Sequence, residues 1–261
     1  MPKVAVVKDP NPLKATLKAL ELVEDEIYLD EKPVLVKPNY VVAKHPSTGM
    51  TTDAGVIEGV VRFLVERGKE VLIGEGSGWA DTFEAFKLAG VDKVAEKYGA
   101  RLIDLNKDEF VEVSPPNPLA LRSVRVAKTA LKCEIVSVPK LKAHRQTKVT
   151  LGLKNLMGAL ASKGSFHDGR LHENIADLAS LLKPKLTVID GIIAGEGHET
   201  RGVPRRMDVV IAGADVVAVD SVGAALMGVN PLEVEHIVLA ARKGLGTCKI
   251  EEIEIVGDEV I

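Results

Sequence analysis

Short apolar runs alternate with amphipathic stretches along most of the chain, the pattern expected of β–α units around a mostly parallel sheet. The runs predict strands over Lys3 to Val7, Val34 to Lys37, Glu70 to Gly74, Arg101 to Asp104, Val124 to Val126, Glu134 to Val138, Leu186 to Asp190, Asp208 to Ala212 and Ile253 to Val256. The largely apolar run around Ile135 to Val138, closed by Pro139, reads as a strand covered on both faces. Between the strands, Leu13, Leu17, Leu20 and Val23 recur at helical spacing over Pro12 to Glu24, with proline in the first turn. A second helix is predicted over Asp53 to Arg67, capped by Thr52 or Asp53 and stopped at Gly68. Asp215 to Met227 and Pro231 to Lys243 carry similar signals. Ser114, Pro115, Pro116, Asn117 and Pro118 break this rhythm and predict a small β-rich insertion near 105–126. The expected architecture is one α/β domain over 1–261, a mostly parallel sheet with helices on both faces.

Composition narrows the function. At 261 residues and 46% hydrophobic content the chain buries a large core, and a net charge of −3 argues against bulk nucleic-acid binding. Cationic chemistry must therefore be local. Cys133 and Cys248 form no CxxC pair, which excludes an internal ferredoxin-type cluster or a Cys-rich zinc site. No apolar run approaches the roughly 18 residues of a membrane span, and the first residues are too polar for a signal peptide. A cytoplasmic protein without membrane or nucleic-acid partners is expected, with a homo-oligomer left open.

The local chemistry gathers after the Glu134 to Val138 strand, in Lys140, Lys142, His144, Arg145, Lys148 and Lys154. In open α/β sheets ligands bind beyond the carboxyl ends of the strands, so these cations are aimed at a pocket for an anion. Lys140, Lys142 and His144 alternate and share a face of an extended stretch. If a helix starts near Gln146, Thr150, Lys154 and Asn155 follow at helical spacing. A solvated basic loop would need the same residues. A second motif, VLVKPNY, fixes Lys37 at a strand end and adds Asn39. A third runs from Gly74 through Glu75, Gly76 and Ser77 to Gly78, glycines that can expose backbone N–H groups to an anion, or merely turn. In a fourth, Asp190 ends a strand, Glu196 and His198 follow, and Asp220 lies on the apolar part of a helix. A hard cation such as Mg²⁺ held among Glu75, Asp190, Glu196 and Asp220 competes there with plain salt bridges. His167, Asp168 and His172 form a loose cluster without true metal-ligand spacing.

The order of motifs is KPN at Lys37 to Asn39, TTD at Thr51 to Asp53, PKLKAH at Pro139 to His144, GLKNLMG at Gly152 to Gly158, VIDGIIAGEG at Val188 to Gly197 and AVDSVGAALMG at Ala218 to Gly228. Together they resemble the domain-of-unknown-function family 362 over essentially the whole chain. Many relatives carry a ferredoxin-like module, and the family is described as iron–sulfur linked. Without module or cysteines, no intrinsic iron–sulfur cluster is expected here. Many relatives read EGxGP where this chain has Glu196-Gly197-His198-Glu199-Thr200.

The expected function is an enzyme that binds a small phosphorylated or carboxylated metabolite for group transfer or hydrolysis. Lys37, Lys140, Lys142 and Lys154 would neutralise the anion, and Asn39, Asn155, Gly76 and Ser77 would orient it. His144, Asp190 or Glu196 would transfer a proton or, for the carboxylates, hold a divalent metal together with Glu75. The alternatives are a non-catalytic anion carrier and a redox partner of a separate iron–sulfur protein.

Overall fold

A computed structural model describes residues 1–167 and 169–259. Among the described residues the strands are β1 (Lys3–Lys8), β2 (Val34–Lys37), β3 (Val71–Glu75), β4 (Arg101–Asp104), β5 (Phe110–Val113), β6 (Val124–Ala127), β7 (Glu134–Ser137), β8 (Lys140–His144), β9 (Lys148–Val149), β10 (Leu186–Glu196), β11 (Val203–Gly213) and β12 (Glu254–Gly257). The α-helices are α1 (Pro12–Leu22), α2 (Ala54–Val65), α3 (Thr82–Ala89), α4 (Val91–Tyr98), α5 (Lys128–Lys132), α6 (Gly152–Asn155), α7 (Leu171–Leu181), α8 (Val216–Leu226) and α9 (Glu235–Arg242).

The main sheet runs in the order β12-β1-β11-β10-β7-β2-β3-β4. Every pair in it is parallel except the two made by β11, which lies antiparallel between β1 and β10. The alternation of strand side chains explains the layers. Leu35, Leu72, Ile135, Ile189 and Ile211 point into one core with α7, α8 and α9, while Val36, Ile73, Val136, Val188 and Val210 point into the other with α1 to α4. Side-chain caps fix the helix starts: Asn11 accepts from the Lys14 N–H, Asp53 from Gly55, and Asp215 from Val217 and Ala218. The insertion near 105–126 is a separate antiparallel pair, β5 with β6.

Two expectations need correcting. No helix starts near Gln146, because β8 turns back into β9 as a hairpin, with Lys148 at φ +63, and α6 begins only at Gly152. Strands β10 and β11 each run for 11 residues and not five, pairing from Thr187 with Gly213 out to Glu196 with Val203. The outer half of β11, with Arg205 and Arg206, is exposed, whereas that of β10 keeps Ile192 and Ala194 buried; beyond the predicted runs the two continue as a two-stranded arm.

Candidate functional site

The order in which strands are added to the sheet reverses between β2 and β7. From β2 the chain passes to α2 on one face, and from β7 it passes through α6 and α7 on the other. Two parallel strands whose connections diverge leave a crevice at their carboxyl ends. A cavity of about 1190 Å³ opens there. Its walls come from the ends of β2 and β3, the β8–β9 hairpin, α6 with the segment after it, and the tip of the β10–β11 arm.

A buried polar network forms the floor. Lys37 at the end of β2 donates to Glu75 Oε1 at 2.8 Å, to the Pro38 carbonyl at 3.1 Å and to Asn155 Oδ1 at 3.2 Å. Burial lowers the Lys37 pKa, and the Glu75 carboxylate opposes that shift. Asn155 spans the crevice: its amide donates to the Lys37 carbonyl and to Ser137 Oγ, and its carbonyl accepts from Asn39. Leu151, the residue before α6, sits at φ +44, backbone strain that costs of order 1–3 kcal/mol and collects at functional sites. Asp220 of α8 offsets it by accepting from the Gly152 and Leu153 N–H groups at 2.6 and 2.8 Å. Those amides, and no metal, are the partners that an acid on an apolar helix face requires, although burial still raises the Asp220 pKa to about 7.

Gly158 closes the floor. A Cβ there would lie 2.1 Å from Glu75 Oε1 and 2.6 Å from Lys37 Nζ. Gly158→Ala should therefore cost roughly 1–3 kcal/mol of stability, read as a lower denaturant midpoint, because the ion pair must shift. An unchanged midpoint would show that the floor is loosely held.

The cationic wall lies above. Lys142 is 1% exposed, and its ammonium donates to the Met50 carbonyl at 2.9 Å. Burial, reinforced by the charges of Lys154 and Lys140, brings its pKa down to about 7. Lys154 is half-buried, and burial brings it to about 8. Among the described residues, neither lysine has a carboxylate within ion-pairing distance. His144 Nδ1 accepts from the Gln146 and Thr147 N–H groups, so in the neutral ring the proton sits on Nε2. Burial and Lys154 hold this ring neutral by lowering its pKa to about 3. At the tip of the arm, Glu199 is engaged by Arg145 at 3.0 Å. Three buried oxygens in the lining, Asn39 Oδ1, Ser77 Oγ and Thr150 Oγ1, have no hydrogen-bond partner.

Residues 34–225 match the family model described as Domain of unknown function (DUF362). The chain belongs to this family. It is also 25% identical over 228 residues to the "Thylakoid-associated protein sll1697" of Synechocystis sp. (strain ATCC 27184 / PCC 6803 / Kazusa), a match that covers 84% of this chain and 70% of that protein. The KPN and GLKNLMG segments, far apart in sequence but both within the matched range, meet in the floor through Lys37, Asn39, Asn155 and Gly158.

The predicted site residues divide. Lys37, Asn39, Glu75, Gly76, Ser77, Lys142, His144, Lys154 and Asn155 all line the cavity. Lys140 and Asp190 do not; they pair with each other at 2.7 Å, both fully buried, and Asp190 also accepts from the Asp53 and Ile192 N–H groups. A bulge between β8 and β10 turns Lys140 away from the face shared by Lys142 and His144. Glu196 is exposed on the arm, facing Arg205. Glu75, Asp190 and Glu196 thus do not converge as metal ligands, and among the described residues no group of three or more acids, histidines and cysteines does.

The glycine loop is no anion nest either. The Gly76 N–H is bonded to Glu75, that of Ser77 to Thr82 and that of Trp79 to the Val41 carbonyl. Gly76 is needed for close approach, since a Cβ there would meet the Gly158 carbonyl at 2.3 Å. The loose histidine cluster comes apart: His172 contacts His236, His167 faces Gln146 in the cavity wall, and Asp168 lies outside the described residues. Thr150, His198 and Glu199 join the lining without having been singled out as site residues. The polar loop after Gly197 was the available signal for the last two.

Proposed function

We propose that the cavity binds a small phosphorylated or carboxylated metabolite and that the protein is an enzyme of group transfer or hydrolysis. The observation that carries the binding is Lys142 and Lys154 held in a crevice without a carboxylate partner. Each loses hydration with no ionic return, which an anionic ligand would supply. The three unpartnered oxygens of Asn39, Ser77 and Thr150 suit hydroxyls or N–H groups on the same ligand. Lys142, titrating near neutrality, suits a proton donor or acceptor, and the His144 Nε2–H suits a developing negative charge.

A second reading, a non-catalytic anion carrier, is favoured by one feature of the lining. Its carboxylates, Glu75 and Glu199, are already bound to Lys37 and Arg145, which leaves no free general base of that type among the described residues. A cytoplasmic location accords with either reading, since Cys133 and Cys248 are free thiols and no described helix is long and apolar enough to cross a membrane. Thylakoid association belongs to the Synechocystis relative's name.

Calorimetric titration with inorganic phosphate, ribose 5-phosphate and citrate tests the binding. At least one should bind, and Lys154→Met should weaken it ~10- to 100-fold, as loss of a charged hydrogen bond does. No binding of any of the three, or unchanged affinity in the variant, would overturn the assignment. Turnover of a bound compound followed by NMR separates enzyme from carrier.

A further inference from the structure

Trp79 is the single tryptophan of the chain, and it is 81% exposed. Tryptophan is normally well buried, and one standing free beside a cavity has a whole indole face available. It stands at the cavity wall and not on a remote surface. Its backbone is pinned by the 2.9 Å bond to Val41, next to a loop held against Gly158. The ring is thus presented from a fixed base.

Two further observations bear on what would cover it. The volume of about 1190 Å³ is above the range of roughly 300–1,000 Å³ typical of sites for whole organic ligands, and far exceeds what one phosphate or carboxylate group fills. Among the described residues, seven Lys and Arg side chains line the cavity against two carboxylates, more positive charge than a single anionic group balances. The same lining includes Ser77, Asn39 and Thr150, whose buried hydroxyl and amide oxygens have no hydrogen-bond partner.

We infer that the ligand is a nucleoside diphosphate, its base stacked on Trp79 and its phosphates held by Lys142 and Lys154. The inference rests on the anion-binding reading and adds the aromatic half of the ligand to it. Ribose hydroxyls would meet the oxygens of Asn39, Ser77 and Thr150. Stacking on an indole is tolerant of the base, so the site is expected to distinguish nucleotides weakly from one another and strongly from pyrophosphate.

The test compares ADP, UDP and pyrophosphate by calorimetry, with the fluorescence of the single tryptophan as a second readout. Both nucleotides should bind roughly 10-fold or more tightly than pyrophosphate and change the emission with the same midpoint. Trp79→Ala should bring ADP to the affinity of pyrophosphate while leaving pyrophosphate unchanged, and Trp79→Phe should retain most of the difference. The side chain is exposed, so matching thermal unfolding of the variants would confirm that folding is intact. Pyrophosphate binding as well as ADP, or Trp79→Ala leaving ADP affinity unchanged, would overturn the aromatic half and leave the anion reading standing. No binding of ADP, UDP, pyrophosphate, ribose 5-phosphate or citrate would overturn both.

Discussion

Asp190→Ala should destabilise the protein by roughly 3–5 kcal/mol, the usual cost of leaving one member of a buried ion pair without its partner. Lys140 and Asp190 are both 0% exposed. Removing the carboxylate strands the Lys140 ammonium and also orphans the Asp53 and Ile192 N–H groups. The first of these belongs to the cap of α2, so the damage reaches the helix that follows β2 and the crevice. The double variant Lys140→Met with Asp190→Leu should recover much of the loss, because an apolar pair of similar volume replaces two desolvated charges. Chemical denaturation of the two variants measures both. An Asp190→Ala protein as stable as the parent would show that the pair is solvated and free to serve a reaction.

Asp190 ends an apolar strand, as catalytic acids often do, and Lys140 begins the cationic series. From the sequence alone each is as good a site residue as Lys142. The difference lies in the bulge between β8 and β10, where Asp190 is in register with Lys140 and Gly195 with Lys142. One strand therefore directs one lysine to a carboxylate and the next to the cavity. No local pattern records that register, because it depends on contacts between segments some 50 residues apart.

The strands themselves were legible. β2 and β4 span the predicted ranges; β2 is buried along its length and so shows as an apolar run, while β4, at the sheet edge, is partly exposed around Leu102 and Ile103. Helices α1, α2 and α8 were legible from a cap joined to an apolar repeat, Asn11, Asp53 and Asp215 each satisfying free amides at the helix start; α3, capped by Asp81, was not singled out. The β8–β9 hairpin was not. Its turn places Lys148 in the left-handed region without glycine, and the strain at Leu151 is held by Asp220 from a distant helix. The floor of the site was legible in composition, as KPN and the Lys154-Asn155 pair, but not in role. Lys37 is a paired structural cation, whereas Lys142 and Lys154 lack carboxylate partners.

Lys142→Met should make the ligand-free protein more stable and its anion binding weaker. In the unfolded chain this lysine holds its proton up to about 10.5, in the folded protein only to about 7. Between those values the unfolded state binds a proton that the folded state lacks, so this group's contribution to stability rises with pH. Below about 7 both states carry the proton and the full penalty of the buried charge is present, at about 1.4 kcal/mol for each unit of depression. Loss of the bond to the Met50 carbonyl offsets about 1 kcal/mol of the gain. At pH 6, without phosphate or carboxylate in the buffer, Lys142→Met should therefore exceed the parent by roughly 2–4 kcal/mol in chemical denaturation, and the gap should close as pH approaches 10. Added phosphate should raise the stability of the parent more than that of the variant, because the variant keeps Lys154 but lacks the buried Lys142 cation. A variant less stable than the parent at pH 6 would mean that the ammonium is already compensated, and the case for an anion in this cavity would fall with it. Opposite signs for stability and binding are what a group retained for its ligand shows, whereas Asp190, retained for the fold, should lose stability when removed.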